Sequence, residues 1–433
     1  MSQTDIAAIE AATMRRVFWR IMPFLFIGYL IAYIDRANVG FASLQMNKDV
    51  GIDAKAFGLG AGIFFIGYFI LEVPSNLGLQ RFGARRWMGR IMISWGIVSA
   101  CFAFIVGPQS FLWLRFLLGA AEAGFFPGVI LYLTFWFPAV YRARIVGIFM
   151  VALPVAVIFG SPVSAALLGL DGALGLRGWQ WLFILEGLPA ILLGVMSFFW
   201  LTDKPDHAAW LKPEQRDWLV GRLERERTLA NRVPHLSVWQ VLRNKHVLVM
   251  GLVYAGAAGA SAALAVWQPQ VLKSFGLTNM QTGFVNTIPY ATAAVLMVWW
   301  GRRSDRTGER VWHNAIPFSW MVIGFTGVMF TTGSLWLTVL MLTFVLVGTY
   351  ASKGPFWALS SEWLGPTVSA AGLAQINALG NLAGFFCNYM IGAIKEATGS
   401  FAMALMPILV LSVIAAIAVL IIGRAQPHVV PAE

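Results

Sequence analysis

The sequence predicts an all-α polytopic membrane protein, with twelve transmembrane helices arranged as two pseudo-symmetric six-helix halves. Three observations carry that expectation. Of the 433 residues, 58% are hydrophobic and only 12% charged, with a mean hydropathy of +0.72, whereas soluble domains run near a quarter charged. Apolar runs recur at about 20 residues, the length that crosses a bilayer as a helix; a membrane barrel would instead alternate over segments of about 10. Finally, the loop QRFGARR, Gln80 to Arg86, returns as SDRTGER, Ser304 to Arg310, pairing Arg81 with Arg306, Gly83 with Gly308 and Arg85 with Arg310. Gly147 and Gly372 repeat at the same offset of 225 positions. One constant offset across two separate elements implies two halves related by an axis along the membrane normal, with a substrate site between them.

The N-terminus carries Asp5 and Glu10 ahead of Arg15, Arg16 and Arg20. The apolar run that follows is longer than a signal-peptide core, so it reads as an uncleaved first span, Val17–Phe41. Further spans at Phe57–Leu79, Trp87–Val106, Phe111–Phe137, Ile145–Leu168 and Trp179–Leu201 complete an N-terminal half over 1–202. Residues 203–246 are rich in charge. Within them Pro213 followed by Glu214 suits a helix start, and Trp218, Leu219 and Leu223 form one apolar side, giving a central loop with an amphipathic helix at the membrane surface. The C-terminal half, 247–433, holds spans at Val247–Val271, Thr282–Trp300, Ala315–Thr332, Leu335–Leu359, Ser369–Ile394 and Phe401–Ile422, then a short tail.

The formal net charge of +11 would suit nucleic acid, but the placement of the cations argues against it. Of the 31 Lys and Arg, Lys48, Lys55, Arg177, Lys273 and Lys395 fall on one side of the membrane, and Arg36, Arg115 and Lys353 lie within or near it. The others share the opposite side. This asymmetry is the positive-inside pattern, so both termini and the central loop are expected to be cytoplasmic. Cys101 and Cys387 lie inside predicted spans, far apart, in no disulfide or metal motif. The five histidines fall in cytoplasmic segments without metal-ligand spacing, and no phosphate-binding loop or nucleophile constellation is present, so neither ATP drive nor enzyme chemistry is expected.

An ionised side chain in the hydrocarbon core costs about 3 kcal/mol at a helix centre, so charges there mark a cavity or a buried pair. Asp35 and Arg36 stand side by side in YIDRANVGFA, and Arg115 and Glu122 in RFLLGAAEAGFFPG. The latter two are seven apart, two helical turns, and share a face about 10 Å apart along the axis. With an inside N-terminus, Asp35 and Arg115 reach a similar depth, which makes an Asp35–Arg115 contact the expected charge network. Arg36 offers a planar fork of donors to a carboxylate. Glu122, under the opposed influences of burial and a nearby cation, can load and release a proton as helices move. The alternative for these groups is a static salt-bridge network holding helices 1 and 4. Lys353, beside Gly354 and Pro355 in YASKGPFWALSSEW, suits a second anionic group, with Trp357 as a ring platform; the alternative is a lysine snorkelling to the interface. Tyr68, Asn377 and Asn381 can supply neutral donors. Glu72, near the cytoplasmic end of helix 2, and Glu186 in helix 6 read as gate or packing residues.

The motifs YIDRANVGFA, VPSNLGLQRFGARRW, RFLLGAAEAGFFPG, GWQWLFILEGLPA, WWGRRSDRTGERVWH and KGPFWAL resemble those of the anion:cation symporter family of the major facilitator superfamily. The resemblance covers nearly the whole chain. It implies the major facilitator fold and a bacterial inner-membrane organic acid permease, of the kind that takes tartrate, phthalate, 4-hydroxyphenylacetate or galactonate. It further implies that Asp35 and Glu122 couple protons and that Arg36 holds the anion. One departure is Gln80, where the superfamily loop has an aspartate; the acid is retained in the second half as Asp305. Arg81, Arg85, Asp305, Arg306 and Arg310 are expected to form a cytoplasmic gate.

The function these readings favour is proton-coupled import of a small organic carboxylate (aromatic acid, hydroxy or dicarboxylic acid, or sugar acid) by alternating access. Expected partners are the anion, protons and the lipid bilayer, with no nucleic acid and no cofactor beyond the proton gradient, in a protein acting as a monomer. Two competitors stand beside it. A proton-linked exporter or antiporter is weakened because Gly160–Pro162 lacks the paired glycines of the antiporter motif. A non-transporting membrane sensor would carry a signalling domain, for which the segment after Arg424 is too short.

Overall fold

The computed structural model describes residues 3–230, 243–331 and 333–425, and among these the chain is helical with no strand. Part of the expected central loop, 231–242, which includes His235, and the tail from 426, which includes His428, lie outside the described residues. The first half comprises α1 (Gln3–Asp49), α2 (Ala54–Phe82), α3 (Ala84–Cys101), α4 (Pro108–Glu122), α5 (Phe125–Trp136), α6 (Ala139–Met150), α7 (Ala152–Leu167) and α8 (Gly178–Trp200). Next comes α9 (Pro213–Ala230), which starts at Pro213 as its sequence suggests. The second half comprises α10 (Lys245–Lys273), α11 (Asn279–Thr307), α12 (Val311–Phe330), α13 (Leu335–Ala351), α14 (Lys353–Thr398), the short α15 (Phe401–Ala404) and α16 (Met406–Ala425). Among the described residues nine segments are long and apolar enough to cross a membrane. The other three expected spans lie in α11, α12 and the later part of α14, whose polar residues lower their hydropathy.

The outside of the bundle identifies its solvent. Val73, Phe159, Leu192 and Val295 are each 63% or more exposed and lie away from the ends of their helices. In water such a surface would aggregate; facing acyl chains it is the stable arrangement. Helix association in lipid draws on close packing rather than on water exclusion, so small residues sit where helices meet. Gly58 of α2 shows this: a Cβ there would stand 2.8 Å from the Gly392 Cα and 2.6 Å from the Asn388 carbonyl of α14.

One expected span is broken where the sequence suggested a continuous helix. The fourth, expected over Phe111–Phe137, is interrupted at Ala123 (ψ 132°) and Gly124, whose φ of +85° only glycine adopts readily. The fifth and tenth keep right-handed helical dihedrals through Val151 (φ −63°, ψ −21°) and Ser352 (φ −69°, ψ −26°), although Gly354 and Pro355 suggest a broken helix at the latter. Conversely, helical bonding continues through the expected connection after Leu359. Trp357 and Gly380 both pack on the Tyr254 ring, although 23 residues of straight helix would separate them by about 35 Å. The chain therefore doubles back between Trp363 and Ile376.

Within the halves, α3 packs on α8 and α2 on α4, while α10 packs on α14 and α12 on α13. Between the halves, α2 lies against α14 and α7 against α11, with α1 on α10. Exchanging the two halves exchanges the first two of these contacts. The halves are joined most closely at the end of the bundle where α1 finishes and α2 begins. There Gln270 donates to Ser43 Oγ (2.9 Å) and the Ala54 N–H to Glu396 (3.0 Å). The repeated loops lie at the opposite end.

Candidate functional site

Successive residues on a helix point about 100° apart, and this sends Asp35 and Arg36 to different places. Asp35, 1% exposed, turns into the N-terminal half, where it accepts from Trp95 Nε1 (2.9 Å), Ser99 Oγ (3.2 Å) and Asn38 Nδ2 (3.4 Å). Arg36 turns to the interface between the halves and donates Nε–H to Glu122 Oε2 at 2.6 Å. Glu122 is fully buried at the last residue of α4, so the helix break at Ala123 and Gly124 falls directly behind the ion pair.

The expected Asp35–Arg115 contact is therefore corrected. Arg115, 2% exposed, donates instead to the carbonyls of Gly60 (3.2 Å) and Ala61 (3.5 Å) on α2. Similar depth was not enough, because Asp35 faces α3 while Arg115 faces α2. Both cavity arginines flank one ring: the guanidinium carbons of Arg36 and Arg115 lie 5.3 and 5.0 Å from the centre of Phe64.

The second half contributes Lys353, the first residue of α14, whose Nζ sits 4.5 Å from the Tyr350 ring centre and pairs with no carboxylate among the described residues. Trp357, one turn on, packs against Tyr254 at 4.8 Å. Asn377 and Asn381 donate to the two oxygens of Glu72 at 3.1 and 3.4 Å, across the halves. A hydroxyl cluster also crosses the halves: Tyr33 OH lies 3.0 Å from Ser261 Oγ and 3.2 Å from Tyr350 OH.

These groups surround a central cavity of about 110 Å³. Arg36, Tyr68, Lys353, Trp357, Asn377 and Asn381, the residues expected to contact substrate, all line it, as does Arg115. Asp35, Glu72 and Glu122 stand behind the lining. A water needs about 10–15 Å³, so this cavity, which is open on one side, has room for at least seven or so waters. Its walls are cationic and hydroxyl-bearing, a set that binds carboxylates and hydroxyl groups.

Sequence reasoning missed Tyr33, Tyr254 and Ser261, and the contact of Glu72, read as a gate or packing residue, with Asn377 and Asn381 of the other half. The signal for two of these was available: Tyr33 is three residues before Arg36, and Glu72 four after Tyr68, each on the same helix face. Glu186 accepts from Ser164 Oγ (2.7 Å) and joins α8 to α7, a packing position.

The expected gate residues lie at the end away from the close contacts. Arg310 bonds Asp305 (2.8 Å) and Glu362 (3.3 Å), both in its own half. Arg81 and Arg306 are exposed, and the Arg85 backbone N–H donates to Asp203 Oδ1 (2.8 Å). Among the described residues none of the five bridges the two halves, so in this conformation they leave that end unlatched. Asp203 also supplies what Gln80 lacks: a carboxylate at the start of α3, where the helix dipole favours it.

A family model described as Major Facilitator Superfamily matches residues 25–387. A putative tartrate transporter of Agrobacterium vitis is 46% identical over 422 residues, covering 97% of this chain and 96% of that one. A quinolone resistance transporter of Acinetobacter baumannii is 42% identical over 400 residues, covering 92% and 91%. Among solved structures, the xylose transporter XylE from E. coli in a partially occluded inward-open conformation superposes with a TM-score of 0.74 at 15% identity, over 95% of this chain and 98% of that one.

Proposed function

The chain belongs to the major facilitator superfamily and is a multi-pass membrane transporter of that type, and from that premise we propose that it imports a small hydroxylated dicarboxylate together with protons. The observation that carries this reading is the pairing of Arg36 from one half with Lys353 from the other on the walls of a single cavity. Two cations on opposite moving bodies suit an anion with a carboxylate at each end. The cavity has room for it: tartrate has only four carbons and six oxygens. The Tyr33–Ser261–Tyr350 hydroxyl cluster suits its hydroxyl groups.

Proton coupling follows from the Arg36–Glu122 pair. With Glu122 ionised, the positive charge of Arg36 is already matched. A proton on Glu122 releases that charge to a substrate carboxylate. Loss of the proton after the halves have rocked returns Arg36 to Glu122 and expels the anion. Asp35 shares a backbone with Arg36, so any turn of α1 that moves the guanidinium also shifts Asp35 against Trp95 and Ser99; in this reading it is a second proton carrier. A monoanion carried with one proton gains only the pH gradient, about 1.4 kcal/mol per unit. Each proton beyond charge balance adds about 2.3 kcal/mol per 100 mV. The protein is read as a monomer in a bacterial inner membrane with cytoplasmic termini, driven by the proton gradient without a cofactor.

A second reading, a proton-linked exporter, draws on the 42% identity to the quinolone resistance transporter. The deciding experiment is uptake of labelled L-tartrate into proteoliposomes with an acid exterior, with a panel of aromatic, sugar and dicarboxylic acids and a fluoroquinolone as competitors. Accumulation abolished by a protonophore supports import. Proton efflux provoked by the fluoroquinolone, with no response to any acid, overturns it.

A further inference from the structure

We infer that Glu72 is a further proton-exchanging carboxyl, which holds the amides of Asn377 and Asn381 and yields them to a carboxylate of the substrate. The inference rests on the reading of the cavity as a carboxylate site. Glu72 is 9% exposed and lies behind the cavity wall, one turn beyond the cavity-lining Tyr68. The two amides that hold it are themselves cavity-lining groups of the opposite half. The donors thus face the cavity while their present acceptor stands behind them, and a substrate carboxylate must compete with Glu72 for the same N–H groups.

This repeats, with donors from the opposite half, the relation between Glu122 and Arg36. In both places a buried internal carboxylate occupies donors that face the cavity. The bonds to an ionised acceptor are about twice as strong as those to a neutral one. Protonation of Glu72 therefore loosens its hold on both amides and removes a negative charge that would repel the arriving anion. The groups facing Glu72 are Arg36 from α1, Tyr68 on its own helix, Tyr254 from α10 and the two amides from α14. Around the cavity, Arg36, Arg115 and Lys353 stand against Glu72 and Glu122. A dianion entering with one proton on each of these carboxyls leaves the net charge of the cavity unchanged, which suits a centre that must cross the membrane field without added work.

The test is titration calorimetry of L-tartrate into the detergent-purified full-length protein at pH 8, in buffers of different ionisation enthalpy, which counts protons taken up on binding. Glu72→Gln is expected to bind L-tartrate while taking up about one proton fewer than wild type, with the slope of log affinity against pH reduced by about one. Glu72→Asp restores the lost proton. Equal proton uptake by wild type and Glu72→Gln overturns the inference while leaving carboxylate transport standing. Absence of binding by any dicarboxylate to the wild type removes both. If Glu72→Gln does not fold, Asn377→Ala/Asn381→Ala tests the contact from the opposite half: L-tartrate affinity falls tenfold or more, and an unchanged affinity overturns the inference.

Discussion

Replacing Glu122 by glutamine preserves the shape of a fully buried side chain while removing the charge that faces Arg36 at 2.6 Å. Two opposed effects follow. Leaving one partner of a buried pair uncompensated costs 3–5 kcal/mol when the remaining charge is dry. Here the Arg36 side chain is 19% exposed toward a cavity, so the cost falls below that range and the protein should still fold with a lowered Tm. For binding the sign is reversed. A substrate carboxylate docked on the cavity side of Arg36 would stand on the order of 6 Å from the Glu122 carboxylate. Their repulsion is about 2.8 kcal/mol at an effective dielectric of 20 and about 0.7 kcal/mol in water. Glu122→Gln should therefore bind L-tartrate about three- to a hundredfold more tightly than wild type at pH 8, and the advantage should shrink as lowering the pH toward 5 lets the wild-type carboxyl take up a proton. The assay is calorimetric Kd at both pH values, paired with proteoliposome transport: gradient-driven accumulation is lost while exchange of internal for external L-tartrate continues. A folded Glu122→Gln protein that binds more weakly at both pH values, and has lost exchange as well, would show that Glu122 serves only to hold Arg36 in place.

Lys353→Met removes a buried cation that has no carboxylate partner among the described residues, so stability should hold or rise while L-tartrate affinity falls about ten- to a hundredfold; a monocarboxylate titrated in parallel should lose less. Gly58→Val places branched atoms against Gly392 and Asn388 of the other half, which disfavours the close contact at that end. Spin labels on Arg81→Cys and Arg306→Cys, at the opposite end, should then report a shorter separation than in the wild-type background, and an unchanged distance would refute the rocking picture. Arg177→Ala removes a bridge to Asp49 (2.8 Å) from a side chain that is 52% exposed. Exposed pairs contribute little because solvent screens them, so the Tm should move by no more than a few degrees and L-tartrate affinity should not change.

The sequence by itself determined the class of molecule and most of the cavity wall. Apolar runs of span length, the one-sided distribution of Lys and Arg and the repeated loop each depend on local composition or a fixed offset, and these survive without knowledge of packing. Arg36, Lys353 and Arg115 were legible for the same reason: a cation in an apolar run is expensive unless something receives it, wherever that partner comes from. What the sequence did not hold was the direction of each side chain about its helix axis. Asp35 and Arg36 are neighbours in the chain, yet the 100° between them sends one to Trp95 inside the N-terminal half and the other to Glu122 at the cavity. The break at Gly124 was likewise invisible to hydropathy, because a discontinuous helix keeps the same apolar composition as a continuous one. Only the tertiary structure decided which acceptor each donor finds. It gave Asn377 and Asn381 to Glu72, 305 and 309 positions away, and it did so because α2 and α14, from opposite halves, pack along each other. Hydrogen-bond partners are fixed by that packing, and packing between distant segments leaves no periodic mark in either one.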